Sequence, residues 1–126
     1  MSLIDDLATY LQTNSIGTVG TDIFKSYMPD TDNGTVIGVY DTGGPAPDVD
    51  LTDLKTPTFQ IVVKSDIYSS GRSKLESIRE LLHGVIETQV GSTYFLNIFA
   101  QSEGGHIGRN ERGQDEFSIN FIAKTR

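Results

Sequence analysis

Two short runs of this 126-residue sequence contain the residues whose types and spacing are most similar to those of a binding or catalytic site. The first is Asp30-Thr31-Asp32-Asn33-Gly34, with Asp41 at the twelfth position counted from Asp30. Its spacing is similar to that of a calcium-binding loop, but the glycine stands one place early and a strand would have to occupy the loop. An Asn-Gly hairpin turn is therefore the favoured interpretation.

The second run is Gly104-Gly105-His106-Ile107-Gly108. Glycine-rich phosphate loops deliver the phosphate to a helix N-terminus, whereas this run precedes a predicted strand, which favours an interaction loop. The two histidines, His83 and His106, lack the short spacing of a metal-binding pair, and no serine lies in a Gly-x-Ser-x-Gly elbow. The sequence indicates no catalytic residue, no metal site and no cofactor. We therefore expect that the protein is not an enzyme.

Composition narrows the class of protein further. The net charge is −7, from 17 acidic and 10 basic residues, which is the wrong sign for tight, general binding of nucleic acid. No run approaches the ~18 apolar residues of a membrane span, and there is no cysteine for a disulfide or thiolate site. The acidic start is unlike a signal peptide, so a cytoplasmic origin is the default expectation. The length predicts a single domain over residues 1–126.

One strand and one helix dominate the pattern. Alternation over Thr58–Lys64 predicts a strand whose buried face carries Phe59, Ile61 and Val63. Apolar residues at three- and four-residue steps predict a helix over Ser73–Val90, with Ser73 and Glu76 as a capping box, although Ser69 or Ser70 could cap it a turn earlier. The two apolar faces are expected to pack on each other.

The remaining elements follow from the same rules. We predict a helix over Leu3–Thr13, a hairpin of strands Thr21–Met28 and Thr35–Tyr40, and a long loop over Asp41–Thr56. After the central helix we predict a strand over Tyr94–Gln101, with Phe95, Asn97 and Phe99 on one face. A flexible charged excursion over Ser102–Gly113 and a last strand over Asp115–Thr125 complete the chain.

These elements predict an α+β fold with the order α-β-β-β-α-β-β. We expect an antiparallel or mixed sheet of about four to five strands, with two helices packed on one face.

Three segments carry a resemblance: Pro57–Val63, Ser69–Gly84, and His106–Gly113 followed by Phe117–Phe121. In these segments the chain resembles the tail terminator proteins of long-tailed phages, also called tail-to-head joining or minor capsid proteins. It departs from the family at Asn110 and Gln114, where relatives often carry aspartate and arginine.

The resemblance implies a non-enzymatic structural protein of a phage or prophage, without a cofactor. It implies a homo-hexameric ring that caps the tail tube, ends tail polymerisation and joins the tail to the head-completion (connector) protein. Such a protein is assembled in the bacterial host cytoplasm and is located at the head–tail interface of the virion. DNA would pass through the ring without specific binding, since six copies at −7 each would total about −42 and repel phosphates.

A subunit contact is expected between a basic spot, Arg109 and Arg112, and the acidic residues Asp48, Asp50 and Asp53 of the next copy. A solvated hairpin tip remains the alternative for the two arginines. Two other functions also remain open: a small acidic inhibitor or immunity-type protein that binds one basic partner, and a small-molecule binding module with a cleft beside Asp41–Thr56. Oligomeric state separates the ring from the inhibitor.

Overall fold

The computed structural model describes residues 3–28, 34–43 and 54–126. Within these residues two helices and seven strands follow one another in the order α1 (Leu3–Thr13), β1 (Ile23–Lys25), β2 (Thr35–Gly43), β3 (Thr58–Ser65), α2 (Tyr68–Leu82), β4 (Val85–Val90), β5 (Thr93–Ala100), β6 (Gly105–Arg109) and β7 (Asp115–Thr125). The α+β class is confirmed. The predicted strand count of four to five and the predicted order are wrong, because two further strands follow α2.

The strands form one mixed sheet in the order β1-β2-β3-β7-β5-β4, with β6 also paired to β7. β1 runs parallel to β2, and the other pairs are antiparallel. β7 lies at the centre, and its predicted core face is confirmed: Phe117, Ile119, Phe121 and Ala123 are all buried. The neighbouring β3 buries Phe59, whose ring stacks on that of Phe121 with centroids 5.1 Å apart.

Both helices contribute to the same hydrophobic core as the inward side chains of β3 and β7. α2 buries Leu75, Ile78 and Leu82, and α1 covers another part of the sheet through four buried apolar residues, Ile4, Leu7, Ala8 and Leu11. The predicted packing of the central helix on β3 is therefore confirmed, as are the bounds of α1.

The predicted hairpin before β3 is wrong. β1 pairs with β2 in parallel, with Ile23 beside Ile37, and parallel neighbours cannot be joined by a tight turn. β1 ends after three residues, where Ser26 adopts a left-handed conformation with φ 65° and donates its N–H to the Val39 carbonyl. Asn33 and the rest of 29–33 lie outside the described residues. An Asn-Gly pair predicts a reversal of the chain but not which strands then pair.

The predicted helix over Ser73–Val90 is wrong at both ends. α2 begins at Tyr68, five residues before Ser73, and the Ser73–Glu76 capping box and the alternative caps Ser69 and Ser70 all lie inside it. Its N-cap is Ile67, whose backbone N–H and carbonyl both bond to the Ser65 hydroxyl. The helix ends at Leu82 because Gly84 takes a left-handed φ of 92°, which is a frequent helix stop. Residues 85–90 form β4 instead.

The predicted faces of β5 are also wrong. The pairing of β5 with β7 shifts between Phe95 and Asn97, so Leu96 forms a bulge. Because the bulge changes the phase of the alternation, Phe95 and Ile98 are both buried, whereas Phe99 is 44% exposed. A single-residue insertion of this kind is invisible to a period of two.

Candidate subunit interface

β5 and β6 together form one interrupted arm that pairs with β7 along its length. Ala100 lies beside Phe121, and pairing resumes where Gly105 lies beside Ser118 and continues to Arg109 beside Asp115. The prediction of a flexible excursion over Ser102–Gly113 is therefore wrong for residues 105–109, which form a strand. The local sequence does not indicate this strand, because it is rich in glycine and charge. The strand is held by its partner, β7, on the other side of a turn.

The tip of this hairpin is held by the side chain of Asn110. Its Oδ1 accepts the backbone N–H groups of Arg112 at 3.0 Å and Gln114 at 2.9 Å, and its Nδ2 donates to Gln114 Oε1 at 3.1 Å. The Gln114 side chain is fully buried. Thus the two positions where the chain departs from its predicted family contact each other, as a pair of neutral amides.

The two arginines of the predicted basic spot both lie at this tip. Arg109 Nε donates to the Gly113 carbonyl at 2.9 Å, and its terminal nitrogen lies 4.0 Å from Asp115 Oδ2. The Arg109 side chain remains 60% exposed, and Arg112 is exposed at the turn. Both arginine side chains therefore lie at the protein surface. Asp48, Asp50 and Asp53 lie outside the described residues.

Beside the tip, His106 joins an aromatic corner at the start of α2. Its Nε2 lies 3.0 Å from Oδ1 of the buried Asp115, and its ring lies 5.2 Å from Tyr68 and 5.1 Å from Phe117. The imidazole is thus oriented by a carboxylate but faces aromatic rings. Nine residues separate His106 from Asp115, so only the pairing of β6 with β7 brings them together.

The other histidine closes the end of α2. The His83 N–H donates to the Arg79 carbonyl, and its Nδ1 accepts the N–H of Ala100 at 2.9 Å. His83 therefore ties the helix end to β5.

The described residues form no metal site: no group of three or more histidine, aspartate or glutamate side chains is placed to hold an ion. Asp30 and Asp32 of the calcium-like run lie outside the described residues. Asp41 Oδ1 accepts the N–H of Gly43, two residues further along the chain. Neither described helix is long and apolar enough to cross a membrane.

A groove of about 580 Å³ lies between α2 and the start of β2. Its wall is lined by four serines of α2, Ser69, Ser70, Ser73 and Ser77, together with Lys74, which donates to the Ile16 carbonyl at 2.7 Å. No histidine borders the groove, so none of its serines has a general base of that kind beside it.

The described surface exposes several large apolar side chains. Ile67 and Tyr68 at the start of α2 and Ile107 on β6 are 50–61% exposed, and Ile86 and Phe99 are 63% and 44% exposed on β4 and β5. Exposed apolar side chains of this kind suit contacts with other proteins better than catalysis.

Comparison with known proteins gives the family. The model of the bacteriophage tail terminator protein family matches residues 10–126. The chain belongs to this family. The resemblance seen in three sequence segments is therefore confirmed. Tail terminators are structural virion proteins, which supports a structural role in a phage tail and a location in the virion.

A solved structure shows the same fold. A chain of the virion of a native gene transfer agent (GTA) particle superposes with a TM-score of 0.66, at 15% sequence identity, over 94% of this chain and 83% of that chain. At this identity the likeness establishes the fold alone. No curated protein matches the sequence.

Proposed function

We propose that six copies of this chain form a closed ring on the finished tail tube, stop its growth and join it to the head connector. The match to the tail terminator family over residues 10–126 carries this proposal. The hexamer, the tube and connector contacts and assembly in the host cytoplasm are parts of the proposal.

The charge distribution supports a contact between unlike surfaces of neighbouring copies. Residues 29–33 and 44–53 carry five of the 17 acidic residues and none of the 10 basic ones. The rest of the chain is therefore nearly balanced, and the basic tip with Arg109 and Arg112 is well separated along the chain from the acidic run. In a cyclic ring each copy presents two different surfaces, so the tip of one copy can meet Asp48, Asp50 and Asp53 of the next.

A ring with this excess of acid also suits a channel for DNA. Six chains of net charge −7 would repel the phosphates of passing DNA, which keeps transit free of tight contacts. This part of the proposal predicts no measurable binding of duplex DNA at physiological salt.

The decisive experiment combines native mass spectrometry with negative-stain imaging of the protein alone and after mixing with purified tail tubes. We expect a six-fold ring at one end of each tube and no further growth when tube subunits are added. Tubes that continue to elongate with no ring bound would contradict the proposal. A one-to-one complex with a basic host protein would instead support the acidic inhibitor.

A further inference from the structure

Three strands lie at the edges of the described sheet, and each is interrupted by a departure from extended backbone. β1 stops after three residues at Ser26, which has φ 65°. β6 shifts its register between His106 and Gly108. β4 turns at Glu87, which has φ 46° in the middle of the strand. Bulges and short edges are ways in which proteins keep sheet edges from pairing with other chains.

β4 has the greatest need for such an interruption. Its sequence, Val85-Ile86-Glu87-Thr88-Gln89-Val90, is rich in β-branched residues, and Ile86 is 63% exposed beside the exposed Phe99 of β5. A straight edge strand with exposed apolar side chains would be a template for a strand of another copy.

The turn at Glu87 is built into the packing of this part of the sheet. Pairing with β5 joins Ile86 to Asn97 and Thr88 to Phe95, with Glu87 opposite the bulge at Leu96. Thr88 Oγ1 donates to the Ile86 carbonyl at 2.8 Å, which braces the turn from both sides of Glu87.

The phase of β4 changes at the same point. Val85 and Val90 both pack against the core although they are five residues apart, which unbroken alternation would not allow. The turn therefore places apolar residues inward on both sides of Glu87 while it bends the edge.

We propose that the left-handed turn at Glu87, braced by Thr88, closes the β4 edge to strand addition by a second copy of this chain. Without strand pairing at β4, copies cannot add to one another at this edge in an open-ended series. The proposal concerns the edge itself and is independent of the ring.

Two substitutions that remove the same charge separate backbone geometry from electrostatics. Glu87→Asn keeps the turn, since asparagine accepts the left-handed conformation, whereas Glu87→Val opposes it because valine is β-branched. Sedimentation velocity and light scattering should give the Asn variant the wild-type mass. The Val variant should place about tenfold more protein in larger, open-ended species.

A third substitution identifies the surface responsible. Adding Ile86→Lys to the Glu87→Val variant puts a charge on the edge and should restore the wild-type mass. Large species that persist in this double variant do not form at the β4 edge, and they would overturn the proposal. So would equal masses for the Asn and Val variants.

Circular dichroism shows whether each variant is folded. If the Val variant does not fold, Glu87→Ala replaces it, because alanine also disfavours the turn but lacks β-branching. Equal masses for the Ala and Asn variants would then overturn the proposal.

Discussion

The two neighbouring aspartates Asp5 and Asp6 show how different the fates of adjacent residues can be. Carboxylates in the first turn of a helix commonly complement its positive end. In the structure Asp5 lies on the surface and pairs with Lys25 at 2.8 Å, whereas Asp6 is fully buried and accepts hydrogen bonds from the hydroxyls of Ser92 and Thr93. Asp6 thus anchors α1 to the turn between β4 and β5, which no local pattern indicates.

Asn110 offers a test at a single side chain. Asn110→Ala removes the acceptor for two backbone N–H groups and the partner of the buried Gln114, so we expect a loss of about 1–3 kcal/mol in the free energy of unfolding. Asn110→Asp keeps an acceptor for both N–H groups and is the matched control. Urea denaturation measures both. Equal stability of the Ala variant and the wild type would show that the tip does not depend on this side chain.

Tyr40 makes stability sensitive to alkaline pH. Burial, and secondly the negative charge of Glu116, raise the pKa of the Tyr40 phenol above its ordinary value of 10.0. A raised pKa means that the folded protein holds the proton more tightly than the unfolded chain. The stability that Tyr40 contributes is therefore complete below the pKa that the phenol has in the unfolded chain. It is lost as pH rises through the pKa that the phenol has in the folded protein.

The measurement is the free energy of unfolding at a series of pH values on either side of the ordinary tyrosine pKa. Tyr40→Phe should flatten the alkaline fall in stability, and Glu116→Gln should flatten it less, since burial is the larger cause. An unchanged fall in the Phe variant would assign it to other groups that titrate at alkaline pH.

At the scale of elements, α2 packs on the sheet through a glycine. A β-carbon on Gly71 would lie 2.5 Å from a ring carbon of Phe117 and 3.0 Å from the β-carbon of Ser65. Alanine favours helix by up to about 1 kcal/mol over glycine, but the clash should outweigh this gain, since overpacking typically costs about 1–3 kcal/mol. Gly71→Ala should therefore lower the thermal midpoint.

Gly105→Ala is the control for this prediction. A β-carbon on Gly105 would meet nothing within 4 Å, and the residue has no positive φ, so its midpoint should stay close to the wild type. A Gly71→Ala protein more stable than the wild type would mean that α2 can move away from Phe117 at little cost.

The other end of α2 depends on Leu82, its last residue. The side chain is fully buried in the core, so Leu82→Ala should cost about 2–5 kcal/mol. Leu81 is only partly buried at the edge of the same core, and Leu81→Ala should cost clearly less. Similar denaturation midpoints for the two variants would contradict the position of the helix on the sheet.

At the scale of the whole molecule, the excess of acidic residues lies mainly in residues 29–33 and 44–53. The basic hairpin tip is distant from both segments along the chain. If unlike surfaces of neighbouring copies meet, changing both Arg109 and Arg112 to glutamate turns attraction into repulsion at every contact. Assembly on tail tubes should weaken, most strongly at low salt where screening is least, while the monomer stays folded.

The matched control changes Arg72 and Arg79, two cations of α2, to glutamate. Both double variants take the net charge from −7 to −11, two units for each replacement, so any difference between them reflects position. Normal assembly of the tip variant across low salt concentrations would exclude the tip as a subunit contact. Arg112→Glu alone leaves the contact between Arg109 and Asp115 in place.

The sequence by itself determined the elements whose burial is regular. α1 and β7 have the predicted bounds, and β3 and β7 bury the predicted faces, because an unbroken period reports directly which side of an element is apolar. The family could also be recognised from short segments, since it depends on residue identities and not on the pairing of distant strands.

Only the tertiary structure decided where regular patterns stop and which strands meet. Val85 and Ile86 suit the apolar stripe of a continued helix as well as a strand. The left-handed Gly84 and the pairing with β5 decide in favour of the strand. The parallel direction of β1, the bulge at Leu96 and the contact of His106 with Asp115 likewise depend on register. Register is set by residues far apart in the chain, and local periodicity carries no information about it.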